Sequence, residues 1–361
     1  MRLHPLVANS ALALFAFAAS VALAEGALRV LGVEPLAELF GGRDVFVRAS
    51  ADPEIGYELV PGASGAAWGT RVRVNGRGFR GPEPRGDAEL RRVVVLGDSI
   101  AFGNEVPAGA EFPARLAEVL GARDPRFEVL NFALGGYDSL QELAVLERHA
   151  LAFAPEHVVI AYCLNDAGIV STNREYIERV SRYRDDFWVR RSRLVQFLLH
   201  RLDQRSHAAF LHEMNRPERF RELSAGRIDP IAADERELRA LMASAADWHP
   251  SDWYRDEARV GRIRFALRRI AELSRAREFE VHIAIFPWLE APGGAYPHAA
   301  VHAIVASEAA RVGFAVTDLA DPFTAAGLES LRAAPFDRVH PNAEGHVLAA
   351  RLVAERLLSA E

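Results

Sequence analysis

Lysine is absent from the 361 residues, so all 43 basic residues are arginine. This absence excludes Schiff-base chemistry and the lysine of a phosphate-binding P-loop. The single cysteine, Cys163, excludes an intrachain disulfide, and no cysteine cluster indicates structural zinc. The net charge of −6 does not favour nucleic acid as a partner. We therefore expect no cofactor, no metal and no nucleic-acid partner.

One long hydrophobic run lies near the N-terminus. Arg2 precedes an apolar stretch from Ala11 to Ala24, which ends in a small-x-small sequence typical of a signal-peptidase site. Counted from Leu6, the run reaches about 19 residues, which is enough to cross a bilayer without cleavage. Residues 1–24 are therefore predicted to be a signal peptide or a membrane anchor. We expect an exported protein, periplasmic or on the outer face of the cytoplasmic membrane, that associates with the membrane through its N-terminus.

The rest of the chain divides into two regions by composition. Residues 25–90 are rich in Gly, Pro and Arg, and we expect an N-terminal arm laid over a larger domain, residues 91–361. From Arg91 onward short apolar runs alternate with amphipathic segments, which indicates βαβ units and a parallel sheet. The predicted strands are Arg92–Leu96, Phe127–Asn131, His157–Tyr162, Val281–Phe286 and Phe314–Asp318. The predicted helices are Phe112–Leu120, Leu140–Ala152, Val260–Arg277, Ala299–Arg311 and Ala343–Leu358.

A long insertion, about residues 171–258, interrupts this alternation between the third and fourth strands. Its segment Arg190–Leu202 is predicted to be a helix with apolar residues on one side and several arginines away from it. Such a helix either packs on the domain with a solvated basic face or contacts a membrane surface or an anionic polysaccharide. The predicted fold class is α/β: a flavodoxin-like three-layer α/β/α sandwich around a five-stranded parallel sheet, with an N-terminal arm and a helical insertion.

The first strand ends in Gly97-Asp98-Ser99, which places the hydroxyl of Ser99 at the carboxyl end of a buried strand. Ligands of open α/β sheets bind at that edge. The same three residue types also occur in ordinary turns, so this segment alone does not separate a nucleophile from a turn serine.

Three further segments would meet Ser99 at the same edge. The loop after the second strand contains Gly135 and Gly136, and the loop after the third contains Asn165. Asp337 and His340 lie three residues apart in the loop before the last helix. Each segment has an ordinary interpretation as a turn or a helix cap, but the four together in this order favour a shared site.

These residue types support acyl transfer to a serine. His340 can take the proton of the Ser99 hydroxyl near neutral pH, and Asp337 can orient the imidazole and stabilise its protonated form. The developing oxyanion needs fixed donors. The candidates are the backbone N–H groups of Ser99 and Gly136 and the side-chain amide of Asn165.

The blocks Gly97-Asp98-Ser99, Gly136, Asn165 and Asp337-x-x-His340 resemble those of the SGNH (GDSL-type) hydrolase family, over about residues 88–361 apart from the insertion. The resemblance implies a flavodoxin-like sandwich and metal-free hydrolysis of esters or thioesters. It implies that Ser99 is the nucleophile, His340 the base, Asp337 its orienter, and Gly136 and Asn165 oxyanion donors. The N-terminus and the insertion also resemble membrane-anchored bacterial members, which implies O-acyl or O-acetyl groups on small molecules or cell-surface polysaccharide as substrate.

The sequence departs from the family pattern in two places. Ile100 replaces the usual Leu behind the nucleophile, and Cys163 stands two residues before Asn165, where the family usually has Gly. A side chain at position 163 could narrow the site or shift Asn165. Gly135 also competes with Gly136 for the role of donor.

Other interpretations of the sequence are weaker or stay open. His298 and His302 are spaced as on one helix face, but the Glu of the metalloprotease motif is absent, and Cys163 closes a buried strand. No G-x-S-x-G elbow of an α/β-hydrolase occurs. An O-acyltransferase would use the same residues as an esterase, and a non-catalytic carbohydrate-binding module would not need them. The oligomeric state stays open.

Overall fold

The computed structural model describes residues 5–33, 46–67, 70–87, 89–168, 178, 186–214 and 216–359. These ranges leave out residues 1–4, 34–45, 68–69, 88, 169–177, 179–185, 215 and 360–361, which include parts of the predicted N-terminal segment, arm and insertion. The chain begins with helix α1 (Pro5–Val30), which continues past the predicted boundary at residue 24. It is long and apolar enough to cross a membrane, and none of its apolar window is buried inside the protein.

The arm contains two small antiparallel pairs of strands. Strand β1 (Val47–Ala49) pairs with β2 (Tyr57–Leu59), and β3 (Ser64–Ala67) pairs with β4 (Thr70–Arg73). The arm is not an independent unit, because its side chains Tyr57, Val72 and Phe79 belong to the same buried core as the central sheet.

The centre of the molecule is a five-stranded parallel sheet, as predicted. Its strands are β5 (Arg91–Gly97), β6 (Phe127–Asn131), β7 (His157–Tyr162), β8 (Glu280–Ile285) and β9 (Ala315–Asp318). Their spatial order is β6-β5-β7-β8-β9, and every neighbouring pair is parallel. Counted within the sheet this is the order 2-1-3-4-5 of the flavodoxin-like fold. The apolar runs from Val93 to Leu96 and from Val158 to Tyr162 are buried because helices cover both faces.

The helices predicted over 112–120, 260–277, 299–311 and 343–358 lie within three residues of those bounds, and the described residues form eleven α-helices after α1 in all. They are α2 (Ser99–Phe102), α3 (Phe112–Gly121), α4 (Ser139–Arg148), α5 (Phe187–Arg191), α6 (Arg193–Met214), α7 (Pro217–Leu223), α8 (Arg236–Ser244), α9 (Glu257–Arg277), α10 (Ala299–Arg311), α11 (Ala320–Ala326) and α12 (Ala343–Ser359). Helix α3 packs against α12, whereas α4 packs against α9, which also contacts α10. The order in which successive strands are added to the sheet changes direction at β5. This change places α3 and α12 on one face of the sheet and α4, α9 and α10 on the other.

Two predicted helices are each divided in the structure. The one expected over 140–152 ends at Arg148 and is followed by a 3-10 turn, Ala150–Phe153, that closes on Ala154 in the left-handed conformation (φ 48°). The one expected over 190–202 breaks at Ser192, whose backbone is extended. The hydroxyl of Ser192 accepts a hydrogen bond from the backbone N–H of Val195 and so begins α6 anew.

Candidate active site

Ser99 stands at the carboxyl end of β5, where the chain turns sharply into α2. Gly97 makes this turn with φ +154°, and a Cβ there would lie 2.8 Å from the Cβ of Ala101 and 3.0 Å from the carbonyl oxygen of Ala161. Asp98 is fully buried and caps α2, because its Oδ1 accepts a hydrogen bond from the N–H of Ile100 at 2.9 Å. Strand, glycine and cap together fix the serine at the sheet edge.

The loop before α12 brings an imidazole to the serine. Nε2 of His340 lies 2.8 Å from Oγ of Ser99, and Nδ1 of His340 lies 2.7 Å from Oδ2 of Asp337. Oδ1 of Asp337 accepts the backbone N–H groups of Val339 and His340 at 2.8 and 2.9 Å. One carboxylate therefore shapes the loop and holds the imidazole, and the Ser99 hydroxyl is left to donate to Nε2.

Electrostatics favour a basic imidazole beside the serine. Burial opposes ionisation of Asp337, but hydrogen bonds from the His340 ring and from two backbone N–H groups hold the pKa of Asp337 well below its usual range. Burial also disfavours the charged form of His340, but the Asp337 hydrogen bond and charge outweigh it and raise the pKa of His340 above 6.5. Asp98 and Glu105 add smaller contributions in the same direction.

The predicted oxyanion donors lie on the loops after β6 and β7. Gly135 packs directly against Ser99, since a Cβ on the glycine would lie 3.6 Å from the Cβ of the serine, and Gly136 follows with φ +82°. Asn165 lies in a 3-10 turn after β7, and its Nδ2 donates to Oδ2 of Asp98 at 3.0 Å. That same Oδ2 lies 3.3 Å from Oγ of Ser99. The structure thus brings all five predicted site residues to one edge of the sheet, and their catalytic roles stay predictions.

Cys163 does not enter the site. Its side chain is 1% exposed, and burial raises the pKa of its thiol well above the usual value. The negative charge of Asp98 adds to this increase in the pKa. The side chain that replaces the family's glycine therefore packs in the core, next to the carboxylate that receives Asn165.

Two arm residues that sequence reasoning missed support the site. The hydroxyl of Tyr57 donates to the carbonyl oxygen of Gly135 at 2.7 Å, and Arg80 donates to the carbonyl oxygens of Phe102 and Gly103 at 2.7 and 2.8 Å. These bonds hold the turn before Gly136 and the end of α2. Because the partners are 78 and 22–23 residues apart, no local pattern could have signalled them.

His298, which precedes α10, and His302, in its first turns, both form hydrogen bonds inside the protein. Nδ1 of His298 is hydrogen bonded to Oγ of Ser251 at 2.7 Å, and its Nε2 is hydrogen bonded to Oε1 of Glu290 at 3.0 Å. Nδ1 of His302 is hydrogen bonded to Oδ1 of Asp318 at 2.6 Å, and its Nε2 is hydrogen bonded to the hydroxyl of Tyr296 at 2.8 Å. Among the described residues, no three His, Cys, Asp or Glu side chains are grouped so as to hold a metal ion.

The Ser251, His298 and Glu290 side chains repeat the residue types of the site around Ser99. Ser251 and His298 have no exposed surface, and Glu290 is 5% exposed. Substrate cannot reach this second serine in the folded chain, whereas Ser99 is only partly buried. Ser99 and Ser251 therefore differ in whether a substrate can reach the hydroxyl.

Comparison with known proteins gives one family. The model of the GDSL-like lipase/acylhydrolase family matches residues 95–348. A search of curated protein sequences finds no match.

Several solved structures are similar to the chain. The crystal structure of TesA is 15% identical, with 75% of this chain and 100% of that chain covered and a TM-score of 0.43. A catalytic mutant of Axe2, an acetylxylan esterase from Geobacillus stearothermophilus, is 14% identical, with 74% and 94% covered and a TM-score of 0.42. The acetyl xylan esterase AlAXEase is 15% identical, with 74% and 98% covered and a TM-score of 0.38.

Proposed function

The chain belongs to the GDSL-like lipase/acylhydrolase family and is an ester-hydrolysing enzyme, and on this premise we propose that it is a serine esterase whose catalytic triad is Ser99, His340 and Asp337. The observation that carries the proposal is the unbroken hydrogen-bonded chain from Oγ of Ser99 through His340 to Asp337, with distances of 2.8 and 2.7 Å.

In the proposed mechanism, Nε2 of His340 takes the proton of the Ser99 hydroxyl as Oγ attacks the ester carbonyl. Asp337 stabilises the imidazolium that forms. The tetrahedral intermediate then expels the alcohol, which receives the proton from His340 and leaves an acyl group on Oγ. Water, deprotonated by His340, attacks that acyl group and releases the carboxylic acid and free Ser99.

The oxyanion of each tetrahedral intermediate is proposed to accept hydrogen bonds from the backbone N–H groups of Ser99 and Gly136 and from the amide of Asn165. One of the two amide hydrogens of Asn165 serves the bond to Asp98, which leaves the second for the oxyanion. Fixed donors of this kind typically contribute about a hundredfold to a thousandfold each to the rate.

For substrate and location, we propose O-acyl or O-acetyl esters of small molecules or of cell-surface polysaccharide, cleaved on the outer side of the cytoplasmic membrane. Helix α1 supports the location, because an apolar helix of this length with none of its apolar window buried needs either a bilayer or removal. The family supports the ester class and leaves the alcohol component undetermined.

The test is hydrolysis of p-nitrophenyl acetate and longer-chain esters by the full chain in detergent, with fluorophosphonate labelling. Ser99→Ala should abolish both turnover and labelling, and His340→Ala should reduce turnover by about a thousandfold or more. Ser251→Ala is the matched control, because the hydroxyl of Ser251 is also bound to a histidine but is inaccessible. Labelling that persists in Ser99→Ala, or a folded wild-type chain that is neither active nor labelled, would refute the proposal.

A further inference from the structure

The C-terminal end of α1 is joined to the insertion by hydrogen bonds. Glu25 accepts the backbone N–H groups of Arg193 and Leu194 at 3.0 and 2.8 Å and the hydroxyl of Ser192 at 2.8 Å. These N–H groups belong to the first turn of α6, where a helix has no internal acceptors and attracts a negative charge. Glu25 therefore acts as the cap of a helix that lies far from it in sequence.

A second contact joins the same place to α5. Arg29, one turn after Glu25, binds the carboxylate of Glu25 at 2.7 Å and donates to the carbonyl oxygen of Arg191, the last residue of α5. The end of α5 and the start of α6 are thus both held by the last two turns of α1. The position of α1 in a membrane would set the position of these two helices.

The length of α1 places Glu25 at a membrane surface. The apolar run from Leu6 to Ala24 contains no Asp, Glu or Arg, and its roughly 19 residues span about 28 Å as a helix. This length matches the hydrocarbon core of a bilayer, about 30 Å. Glu25, the first charged residue after that run, then lies at the headgroup level together with the start of α6.

Helices α5 and α6, which Arg29 and Glu25 contact, both expose large apolar side chains. Phe187 and Trp188 in α5 are 57% and 68% exposed, and Leu198 and Leu202 in α6 are 52% and 62% exposed. We call these four residues the apolar patch. Leu198 and Leu202 are four residues apart and so share one side of α6. Outside α1, such large apolar exposure is uncommon among the described residues.

Arginines surround the apolar patch. Arg190, Arg191 and Arg201 are exposed, and the guanidinium of Arg191 lies 4.3 Å from the ring centroid of Phe187. Aromatic rings with adjacent arginines are typical of the interface between hydrocarbon and headgroups, where the arginine stems follow the apolar surface and the charges reach anionic phosphates.

We propose that α1 is retained as a membrane anchor and that α5 and α6 seat the enzyme on an anionic lipid surface beside it, with the apolar patch in contact with lipid. The covering partner is a bilayer rather than a polysaccharide because the patch is apolar and lies on the two helices that are hydrogen bonded to the end of the apolar helix α1. The Ala24–Glu25 bond lies inside the continuous helix α1, so cleavage there would leave Glu25 as the first residue of the chain, without the helical turns that precede it. The inference does not depend on the esterase mechanism.

The test uses the full chain in nanodiscs that contain phosphatidylglycerol and lipids brominated near the headgroup. Bromine should lower the tryptophan emission of the wild type, and Trp188→Phe should remove most of that loss. Trp248→Phe is the matched control, because Trp248 is also exposed, at 43%, but lies outside α5 and α6, and it should leave the quenching intact. Quenching that is unchanged in Trp188→Phe would overturn the proposal.

Two further readouts use the same chain. Glu25→Ala should reduce the quenching of Trp188, because α6 loses its cap and its link to α1. Intact mass of the chain recovered from bacterial membranes should include residues 1–24, whereas a chain that starts at Glu25 would contradict a retained anchor. Soluble anionic polysaccharide should leave the Trp188 emission unchanged in discs of neutral lipid. A polysaccharide-dependent shift without lipid quenching would assign the surface to the other partner.

Discussion

Nδ2 of Asn165 lies 3.0 Å from Oδ2 of Asp98, the residue that precedes the candidate nucleophile. The carboxylate that caps α2 therefore also holds the amide proposed to bind the oxyanion. Oδ1 of Asn165 is buried and has no partner among the described residues, so the bond to Asp98 is what orients this side chain. A single buried carboxylate thus positions both the candidate nucleophile and one of the proposed oxyanion donors.

Asn165→Ala should lower kcat by about a hundredfold or more with little change in KM, because the amide would act mainly on the charge of the transition state. Steady-state kinetics with p-nitrophenyl acetate would measure it. Gln141→Ala is a useful control, since Gln141 is also a buried amide but donates to the carbonyl oxygen of Ile55 in the arm. An Asn165→Ala variant with wild-type kcat would remove Asn165 from the oxyanion site.

Asp337→Asn should reduce kcat by about a thousandfold to ten-thousandfold, because the amide no longer stabilises the imidazolium. The pH dependence gives a second readout. In the proposed mechanism activity requires neutral His340, whose pKa is raised above 6.5 chiefly by Asp337 against the effect of burial. The wild-type kcat/KM should therefore rise with pH through a midpoint above 6.5, and in Asp337→Asn this midpoint should move to lower pH. Equal pH midpoints in the wild type and in Asp337→Asn would show that Asp337 does not raise the pKa of His340.

Tyr57→Phe should lower kcat by about threefold to tenfold, the effect of one lost hydrogen bond, because the turn before Gly136 loses its tie to the arm. The KM of a small ester should change little. Thr70→Val is the matched control, because Thr70 also joins the arm to a carbonyl oxygen, that of Val106, which is not part of that turn. If the two variants lose kcat equally, Tyr57 has only a general structural role.

Arg80→Met should destabilise the fold by about 3–5 kcal/mol, since it removes one partner of a buried ion pair. Arg80 is 2% exposed, lies 3.7 Å from Glu111 and donates to two carbonyl oxygens at the end of α2. Urea unfolding followed by tryptophan fluorescence would report the change. Arg85→Met, which removes a half-exposed arginine of the same arm, should cost far less. If the two variants lose the same free energy of unfolding, the burial of Arg80 makes no additional contribution to stability.

The sheet could be predicted from sequence because its signals are local. The apolar runs of β5 to β8 are short, buried on both faces and bounded by polar residues, and all five predicted strands agree with the structure within a residue or so. Ser99 and Asn165 follow such strands directly. Their meeting could be expected because parallel strands end at one edge.

The long-range supports of the site could not be predicted. Tyr57 meets Gly135 across 78 residues, and Glu25 meets Arg193 across 168. Neither tyrosine nor glutamate stands in a pattern that specifies a distant backbone partner. The break of the insertion helix at Ser192 has the same origin, because the carboxylate that accepts its hydroxyl lies on α1.

The arm is synthesised before the residues of the site that it supports. The ribosome releases Tyr57 and Arg80 before their partners Phe102, Gly103 and Gly135. Until those partners have emerged, the side chains of Tyr57 and Arg80 are hydrogen bonded to water. His340 leaves the ribosome after all of these residues. The nascent chain would therefore hold an unassembled site until the loop before α12 has emerged. Hydrolytic activity would begin only when α12 closes on the sheet, so the order of synthesis itself keeps the growing chain from acting on esters.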